Sequence, residues 1–195
     1  TPIKKTTLMR CIAGFAKPTK GKIVVDGCIV GKDIDFPDKM GVIIENPGFL
    51  PSYNAFFNLK ILSRVSGKAA DEHIRKVITE MGLDPDNLKP VGQYSLGMRG
   101  RLGIAQAIME DPEILILDDS TSAVDTATDA RIREAFARKI PGTTKIIIAQ
   151  RISSVQYADE ILILDDDHIV GQGTHEELLA SNKIYQEIYQ SQQQG

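Results

Sequence analysis

Four short apolar runs along the chain predict the buried strands of one sheet. Each run is dominated by Ile, Leu and Val, which is typical of strands covered on both faces in a parallel sheet. Segments with helical spacing of apolar residues stand between them. We therefore expect an α/β fold in which a parallel core sheet carries helices on both faces. The runs are Val42–Ile44, Ile114–Leu117, Ile146–Ala149 and Ile161–Leu164.

Two amphipathic stretches, Asn54–Val65 and Asp71–Met81, predict a pair of helices between the first two apolar runs. The apolar positions of the first helix recur at helical spacing and share one face. Such a face belongs more often to a core than to an interface. Its members are Phe57, Ile61, Leu62 and Val65.

A β-hairpin and a further helix are predicted in the first part of the chain. Apolar runs over Lys22–Val25 and Cys28–Val30 flank the pair Asp26-Gly27, which favours a tight turn. Before the hairpin, helical spacing of apolar residues predicts a helix over residues 6–15. The apolar positions there are Leu8, Ile12 and Phe15.

The composition is that of one ordinary globular domain. The chain has 195 residues, of which 42% are hydrophobic and 25% charged, enough for one sizeable core. A net charge of -3 argues against binding to nucleic acid. Cys11 and Cys28 lack the spacing of a metal site or a disulfide framework. No signal peptide is recognisable, and no apolar run reaches the roughly 18 residues of a membrane span. We therefore expect a cytoplasmic domain that reaches a membrane only through a partner.

A carboxylate directly follows the most apolar of the four runs. Asp118 stands after Ile114–Leu117, and an acid at the carboxyl end of a buried strand lies where open α/β sheets bind ligands. In P-loop nucleotide hydrolases, an Asp in such a Walker B segment holds Mg²⁺. The alternative is a core strand that simply ends in solvated acids.

The segments on either side of this strand make the prediction more specific. Tyr94–Arg99 and a helical run precede it, and Ser120–Asp125 follow it. This order resembles the ATP-binding domain of ABC transporters, with a signature motif, a helix, a Walker B strand and a D-loop. The resemblance implies ATP and Mg²⁺ as cofactors and a P-loop-type parallel sheet with a small antiparallel hairpin. It also implies that residues 1–195 form one domain, with a helical subdomain over about 52–92.

By the same resemblance, three residues correspond to the end of a Walker A loop. Lys5 matches the phosphate-binding lysine, Thr6 the Mg²⁺-binding hydroxyl, and Thr7 a hydroxyl near the α-phosphate. The glycines that turn backbone N–H groups towards the phosphates are absent, and Thr1–Lys4 stand in their place. The alternative is that residues 6–15 form only a helix.

Other family positions fall on a loop acid, a helix start and the D-loop. Glu45 stands where the family has a Mg²⁺-contacting Gln, and a carboxylate suits the same ion; a solvated loop acid is the alternative. Ser95 and Gly97 match the pair that contacts the γ-phosphate of ATP held by the opposite subunit, although Ser95 could equally be a plain N-cap. Asp125 belongs to the D-loop and is the last nucleotide-site candidate.

Two substitutions relative to the family pattern predict weak hydrolysis. Asp119 stands where the family has its catalytic Glu, and a misplacement of about 1 Å can cost roughly 10²-fold in rate. Gln150 replaces a switch His and cannot titrate as an imidazole. We therefore expect an ATP-binding domain with little turnover. The resemblance also implies two partners, a second ATP-binding domain and a transmembrane transporter subunit.

Alternative interpretations stay open at this point. A recombined or engineered α/β scaffold without activity would explain the missing phosphate loop, and a small-molecule P-loop kinase is disfavoured by the signature block. Residues up to about Asp111 resemble ATPases of bacteriocin or antibiotic export and immunity. Residues from about Leu117 resemble the degenerate half of a heterodimeric exporter. We therefore expect a chimera, with natural divergence as the alternative.

The amino end raises a question about the sheet. In P-loop folds an apolar strand before the phosphate loop lies inside the sheet, and no such strand precedes Lys5. Its neighbours would then be unpaired edges, which favour pairing with another chain. We expect either that Lys22–Val25 and Cys28–Val30 cover the gap or that a second copy does so. In both cases we expect poor ATP affinity.

Overall fold

Three parallel strands form the central sheet of the computed structural model, which describes residues 5–44, 47–67, 69–118, 142–166 and 168–193. Across the sheet the order is β3 (Met40–Ile43), β4 (Ile114–Leu117) and β5 (Thr144–Ile147). Ile43 pairs with Leu117, which in turn pairs with Ile147. The carboxyl ends of the three strands therefore lie level at one edge of the sheet, and the predicted α/β fold with a parallel core sheet is confirmed.

Helices cover both faces of this sheet, because successive side chains of a strand point to opposite faces. Leu115 and Leu117 pack into the larger core with the helices that follow β3. Ile116 packs into a second core with Met9, which lies in the first helix, and with Ala13, which directly follows that helix. The helices are α1 (Lys5–Ile12), α2 (Ala55–Ser66), α3 (Asp71–Glu80) and α4 (Leu96–Ile108).

The buried face of α2 is not the one that the apolar spacing predicts. Phe57, Leu62 and Val65 are exposed, Val65 at 87%, whereas Ala55 and Leu59 are fully buried. Asn58 is buried on that same inner face because its side-chain amide accepts from the Leu50 N–H at 2.7 Å and donates to the Leu50 carbonyl. The predicted core face was therefore wrong, since a polar side chain that satisfies loop backbone takes a core position.

The predicted hairpin is confirmed as β1 (Val24–Val25) and β2 (Cys28–Ile29), with Val25 paired to Cys28. Asp26 at φ 48° and Gly27 at φ 80° occupy the left-handed region that a type I′ turn needs at both central positions. The first of the two alternatives for the gap in the sheet was wrong, because among the described strands β1 and β2 pair only with each other. Pairing with a second copy stays a prediction. The Ile29 carbonyl accepts instead from Asp33 N–H at 2.8 Å, in a turn beside the hairpin.

The last apolar run belongs to a separate antiparallel pair. β6 (Ile161–Asp165) pairs with β7 (His168–Gly173), and in the described part of the chain this sheet has two strands. Placing Ile161–Leu164 in the parallel core sheet was therefore wrong. The physical reason is the turn after β6: Asp166 at φ 42° returns the chain directly, so β6 pairs with the segment that follows it.

Two helices complete this carboxyl-terminal unit. They are α5 (His175–Ser181) and α6 (Lys183–Gln193). Thr174 caps α5 in a capping box with Glu177, as their spacing in the sequence allows. A small core of its own joins the unit to the turn after β5, and its buried members are Ile152, Ile161, Ile163, Leu178 and Tyr185. Among the described helices, none combines the length and apolarity needed to cross a bilayer.

Candidate functional site

The candidate site lies at the level carboxyl edge of the parallel sheet. Asp118 follows β4 directly, and its backbone N–H donates to the Ile43 carbonyl at 2.9 Å. On the other side, the Ile148 N–H donates to the Leu117 carbonyl at 2.8 Å. Asp118 is only 8% exposed, so its carboxylate is held close to the end of the sheet. Ligands of open α/β sheets bind in this position.

Asp118 and Thr6 have the donor chemistry that Mg²⁺ prefers. Mg²⁺ with a nucleotide takes one or two carboxylates together with phosphate oxygens and waters, so it needs few protein ligands. The structure supplies a buried carboxylate at Asp118 and a half-buried hydroxyl at Thr6. Across the described ranges, no three His, Cys, Asp or Glu side chains cluster as a protein-only metal site. The residues fit an ion that a nucleotide brings with it.

The three residues that were predicted to end a Walker A loop form the first turn of α1. Lys5 and Thr7 are exposed and Thr6 is half-buried. The first turn contains no acidic side chain, so the N–H groups of a helix start and the helix dipole favour an anion there. The helix is shorter than the predicted span of residues 6–15. It ends at Ile12, and Phe15 lies beyond it, exposed, with its ring 6.1 Å from that of Phe36.

Ser95 begins α4, as its residue type predicts. Its hydroxyl accepts from the Met98 N–H at 3.2 Å. Tyr94 before it is buried against the start of α2. Burial raises the pKa of the Tyr94 phenol, and a backbone hydrogen bond with Ala55 acts in the opposite direction. A Cβ added at Gly97 would meet no atom within 4 Å. The described chain therefore leaves room beside Gly97 in the first turn of α4.

Gln150 lies three residues beyond the end of β5 and is exposed. Its backbone carbonyl accepts from Gln192 Nε2 at 2.8 Å, and the next turn begins at Ile152. Nothing in the sequence distinguishes Gln192 from the other glutamines of the Gln-rich segment that begins at Gln186, so this contact was not predicted.

The structure brings some of the predicted site residues to one edge and leaves others undescribed. Asp118 and the turn of Gln150 both follow neighbouring strands at the carboxyl edge. Glu45, Asp119 and Asp125 lie outside the described residues. Their assignments stay predictions.

Comparisons with known proteins agree on one family. Residues 4–122 match the family model for ABC transporters. The chain is 39% identical over 180 residues to the uncharacterized ABC transporter ATP-binding protein YybJ of Bacillus subtilis (strain 168), covering 92% of this chain and 79% of that protein. It is 36% identical over 189 residues to the bacitracin transport ATP-binding protein BcrA of Enterococcus faecalis, covering 94% of this chain and 61% of that protein.

Longer proteins match over part of their length. The chain is 34% identical over 203 residues to the probable multidrug resistance ABC transporter ATP-binding/permease protein YheI of Bacillus subtilis (strain 168), of which it covers 34%. A solved bacterial Atm1-family ABC exporter with ATP bound superposes with a TM-score of 0.84 over 96% of this chain and 35% of the exporter chain. Its 24% identity supports the fold alone. The acid that follows β4 stands at the level strand ends. Together with this position, the sequence matches show that the chain belongs to the ABC transporter family, as an ATP-binding domain.

Proposed function

We propose that this domain binds Mg-ATP at the carboxyl edge of β3, β4 and β5. The observation that carries the proposal is the Asp118 carboxylate, buried at the end of the central strand in a chain of this family. Asp118 and Thr6 would hold the ion, with Glu45 as a further oxygen ligand. Bound Mg²⁺ would offset the charge of the phosphate oxygens.

The chain's own residues would then bind and orient the nucleotide. Lys5 is a cation next to the N–H groups of the first turn of α1, where phosphate is favoured. Thr7 adds a hydroxyl on the same turn. Because Lys5 and Thr7 are exposed, they can reach a ligand without displacing core side chains.

A second ATP-binding domain is the proposed partner across the nucleotide. Ser95 and Gly97 start α4 with open space in front of Gly97, and a helix start of this kind favours an anion presented from outside. Asp125 would act at the same contact. A transmembrane subunit is the second proposed partner, which makes the domain cytoplasmic and peripheral to the membrane. ABC transporter relatives that contain permease segments support this assembly.

Asp118→Asn tests the proposal, with Asp165→Asn as the matched control. The control residue ends β6, follows the same apolar residues and is exposed. ATP binding is measured by calorimetric titration, once in the presence of Mg²⁺ and once in the presence of EDTA. In Mg²⁺, the ATP affinity of Asp118→Asn should be at least about tenfold lower than that of the wild type, or ~1.4 kcal/mol. Asp165→Asn should bind as the wild type does.

Either of two results contradicts the proposal. Unchanged Mg-ATP affinity in Asp118→Asn would remove this carboxylate from the site. Absence of ATP binding by the wild type at millimolar concentrations would favour the alternative of an inactive scaffold.

We further propose that turnover is weak, because Asp119 and Gln150 depart from the family's catalytic pair. A shorter acid misplaces its carboxylate by about 1 Å, which can cost roughly 10²-fold. The double variant Asp119→Glu with Gln150→His should release phosphate from ATP faster than the wild type. Rapid release by the unmodified domain would overturn this part of the proposal.

A further inference from the structure

Gln192, in the last turn of α6, bridges the backbone on both sides of Arg151. Its Oε1 accepts from the Ile152 N–H at 2.9 Å, and its Nε2 donates to the Gln150 carbonyl at 2.8 Å. The two bonds join residues 40 and 42 positions apart in the sequence. They connect α6 to the turn that follows the central sheet.

The pattern of these bonds is that of a strand pair. In a parallel sheet, the N–H and C=O of one residue bond the carbonyl of one residue on the neighbouring strand and the N–H of the residue two further on. The Gln192 amide supplies the same donor and acceptor. Arg151 between the bonds has φ -104° and ψ 128°, an extended conformation. The side chain of Gln192 therefore takes the place of a strand partner beside this extended segment, with which none of the described strands pairs.

The helix that carries Gln192 is itself anchored. Tyr185 of α6 is 3% exposed and packs in one cluster with Ile152. Ile152 is the residue whose N–H donates to Gln192. The Tyr185 N–H also donates to Asn182 Oδ1 at 3.0 Å, which fixes the start of the helix. Because α6 and the turn share a core, the Gln192 amide meets the backbone from a helix that is already held in place.

We propose that Gln192 is a positioning residue for Gln150. By fixing the Gln150 carbonyl and the Ile152 N–H, it aims the exposed Gln150 side chain at the terminal phosphate of bound ATP. This inference rests on the proposed function, since it assumes that ATP binds at this edge and that Gln150, at the family's switch position, contacts it. ADP lacks the γ-phosphate, which is the terminal phosphate of ATP, so the effect is confined to ATP.

Hydrogen exchange tests the contact without any nucleotide. The exchange of the Ile152 amide is followed by NMR in the wild type, in Gln192→Ala and in Gln193→Ala. The control side chain is next on the same helix and points about 100° away around its axis. Gln192→Ala should speed exchange of the Ile152 amide by about tenfold, since it removes the acceptor. Unchanged exchange would overturn the proposal.

The ratio of the ADP and ATP dissociation constants tests the positioning. A hydrogen bond to a charged phosphate contributes about tenfold in affinity, so Gln192→Ala should reduce the preference for ATP by about that factor and leave ADP affinity unchanged. Gln193→Ala should keep the preference. If Gln192 served stability alone, Gln192→Ala would weaken the binding of both nucleotides equally or of neither. That result would contradict the positioning role.

Gln192→Glu separates the two bonds. Its carboxylate can accept from the Ile152 N–H but cannot donate to the Gln150 carbonyl. We expect the Ile152 amide to stay protected while the preference for ATP falls as in Gln192→Ala. A full ATP preference in Gln192→Glu would overturn the role of the Gln150 bond.

Failure of the proposed function gives a different pattern. If the wild type binds neither nucleotide while Gln192→Ala still exposes the Ile152 amide, the ATP site and the role of Gln150 at the phosphate are both overturned. The contact between α6 and the turn would then be purely structural. If the wild type binds ATP and ADP equally well, the ATP site stands and the phosphate contact of Gln150 is overturned.

Discussion

Two segments of this domain share seven identical residues and occupy different environments. Glu113–Asp119 and Glu160–Asp166 both read Glu-Ile-Leu-Ile-Leu-Asp-Asp. The first contains β4, the middle strand of the parallel sheet, and the second contains β6, one strand of an antiparallel pair. Leu115 is fully buried, whereas the equivalent Leu162 is 50% exposed. The same residues thus form a two-sided core strand in one place and a half-solvated strand in the other.

The neighbours of each segment explain the difference. β4 has a strand on each side, and different helices pack on its two faces. β6 pairs with β7 through a tight turn, and its register shifts between Ile163 and Leu164. Only Ile161 and Ile163 point into the small core with α5 and α6. The local sequence sets the tendency to form a strand, while the partners decide which faces are buried.

The charged residues at the two strand ends differ in the same way. Asp118 is almost fully buried at the carboxyl edge of the parallel sheet, and Asp165 is exposed in a turn. Glu113 forms an ion pair with Lys39, whereas Glu160 accepts from Gln172 Nε2 at 2.5 Å. A match to the Walker B pattern therefore needs its structural context before Asp118 can be distinguished from Asp165.

The largest expected difference is between Leu115→Ala and Leu162→Ala. Deletion of a fully buried Leu side chain costs about 2–5 kcal/mol of unfolding free energy. A half-exposed side chain loses less contact, and we expect less than about 1 kcal/mol at Leu162. Urea unfolding followed by circular dichroism measures both. Equal losses at the two positions would mean that β6 is buried on both faces in solution.

A smaller difference is expected between Gly41→Ala in β3 and Gly171→Ala in β7. A Cβ at Gly41 would lie 2.1 Å from the Ala107 carbonyl oxygen, so backbone of α4 must move, at about 1–3 kcal/mol. A Cβ at Gly171 would meet only side-chain atoms, Asn182 Nδ2 at 2.5 Å and Ile163 Cδ1 at 2.9 Å, so the backbone can stay in place while the hydrogen bond from Asn182 to the Val170 carbonyl loosens. Thermal unfolding should therefore show the larger loss for Gly41→Ala. A larger loss at Gly171 would show that the Asn182 contact is the more rigid one.

The smallest effect concerns pH and the core beneath β6. Burial raises the pKa of the Tyr185 phenol, so the folded form keeps its proton when the unfolded form begins to lose it near pH ~10. Stability that is present below pH ~10 is therefore lost as the pH rises towards the pKa of the folded state. Tyr185→Phe should make this alkaline loss shallower.

Below pH 9 the same substitution should cost about 1 kcal/mol, because the hydrogen bond between the Tyr185 hydroxyl and His175 Nδ1, at 2.8 Å, is lost. Urea unfolding at a series of pH values measures both effects. Tyr94→Phe provides the comparison in the larger core, where burial also raises the pKa of the phenol. Parallel pH curves for the wild type and Tyr185→Phe would contradict the prediction.

The strands and helices could be predicted from the sequence, but several of their partners could not. The apolar runs located β3, β4 and β6, and the Asp26-Gly27 pair located the hairpin turn. The strand predicted over residues 146–149 is observed two residues earlier, as β5. The pairing of β6 was missed because an apolar run carries no information about its neighbour. The exposed side of α2 was misassigned because that helix has apolar residues on more than one side.

The candidate site was predictable where local rules apply. The hydroxyl of Ser95 caps α4, and Asp118 follows a buried strand, as residue type and spacing indicate. The contact of Gln192 could not be predicted, since it joins the last helix to Gln150 through bonds over 40 and 42 positions. Long-range contacts of single polar side chains leave no periodic pattern.

The level register of the three parallel strands has a consequence for changes in chain length. Each strand residue advances the chain by about 3.3 Å and reverses the side-chain direction. Deletion of one residue within β4 would therefore withdraw Asp118 from the edge and exchange Leu115 and Ile116 between the two cores. The connecting loops carry no such constraint. Insertions and deletions in this family are thus expected to accumulate between the strands, while the length from Ile114 to Asp118 stays fixed.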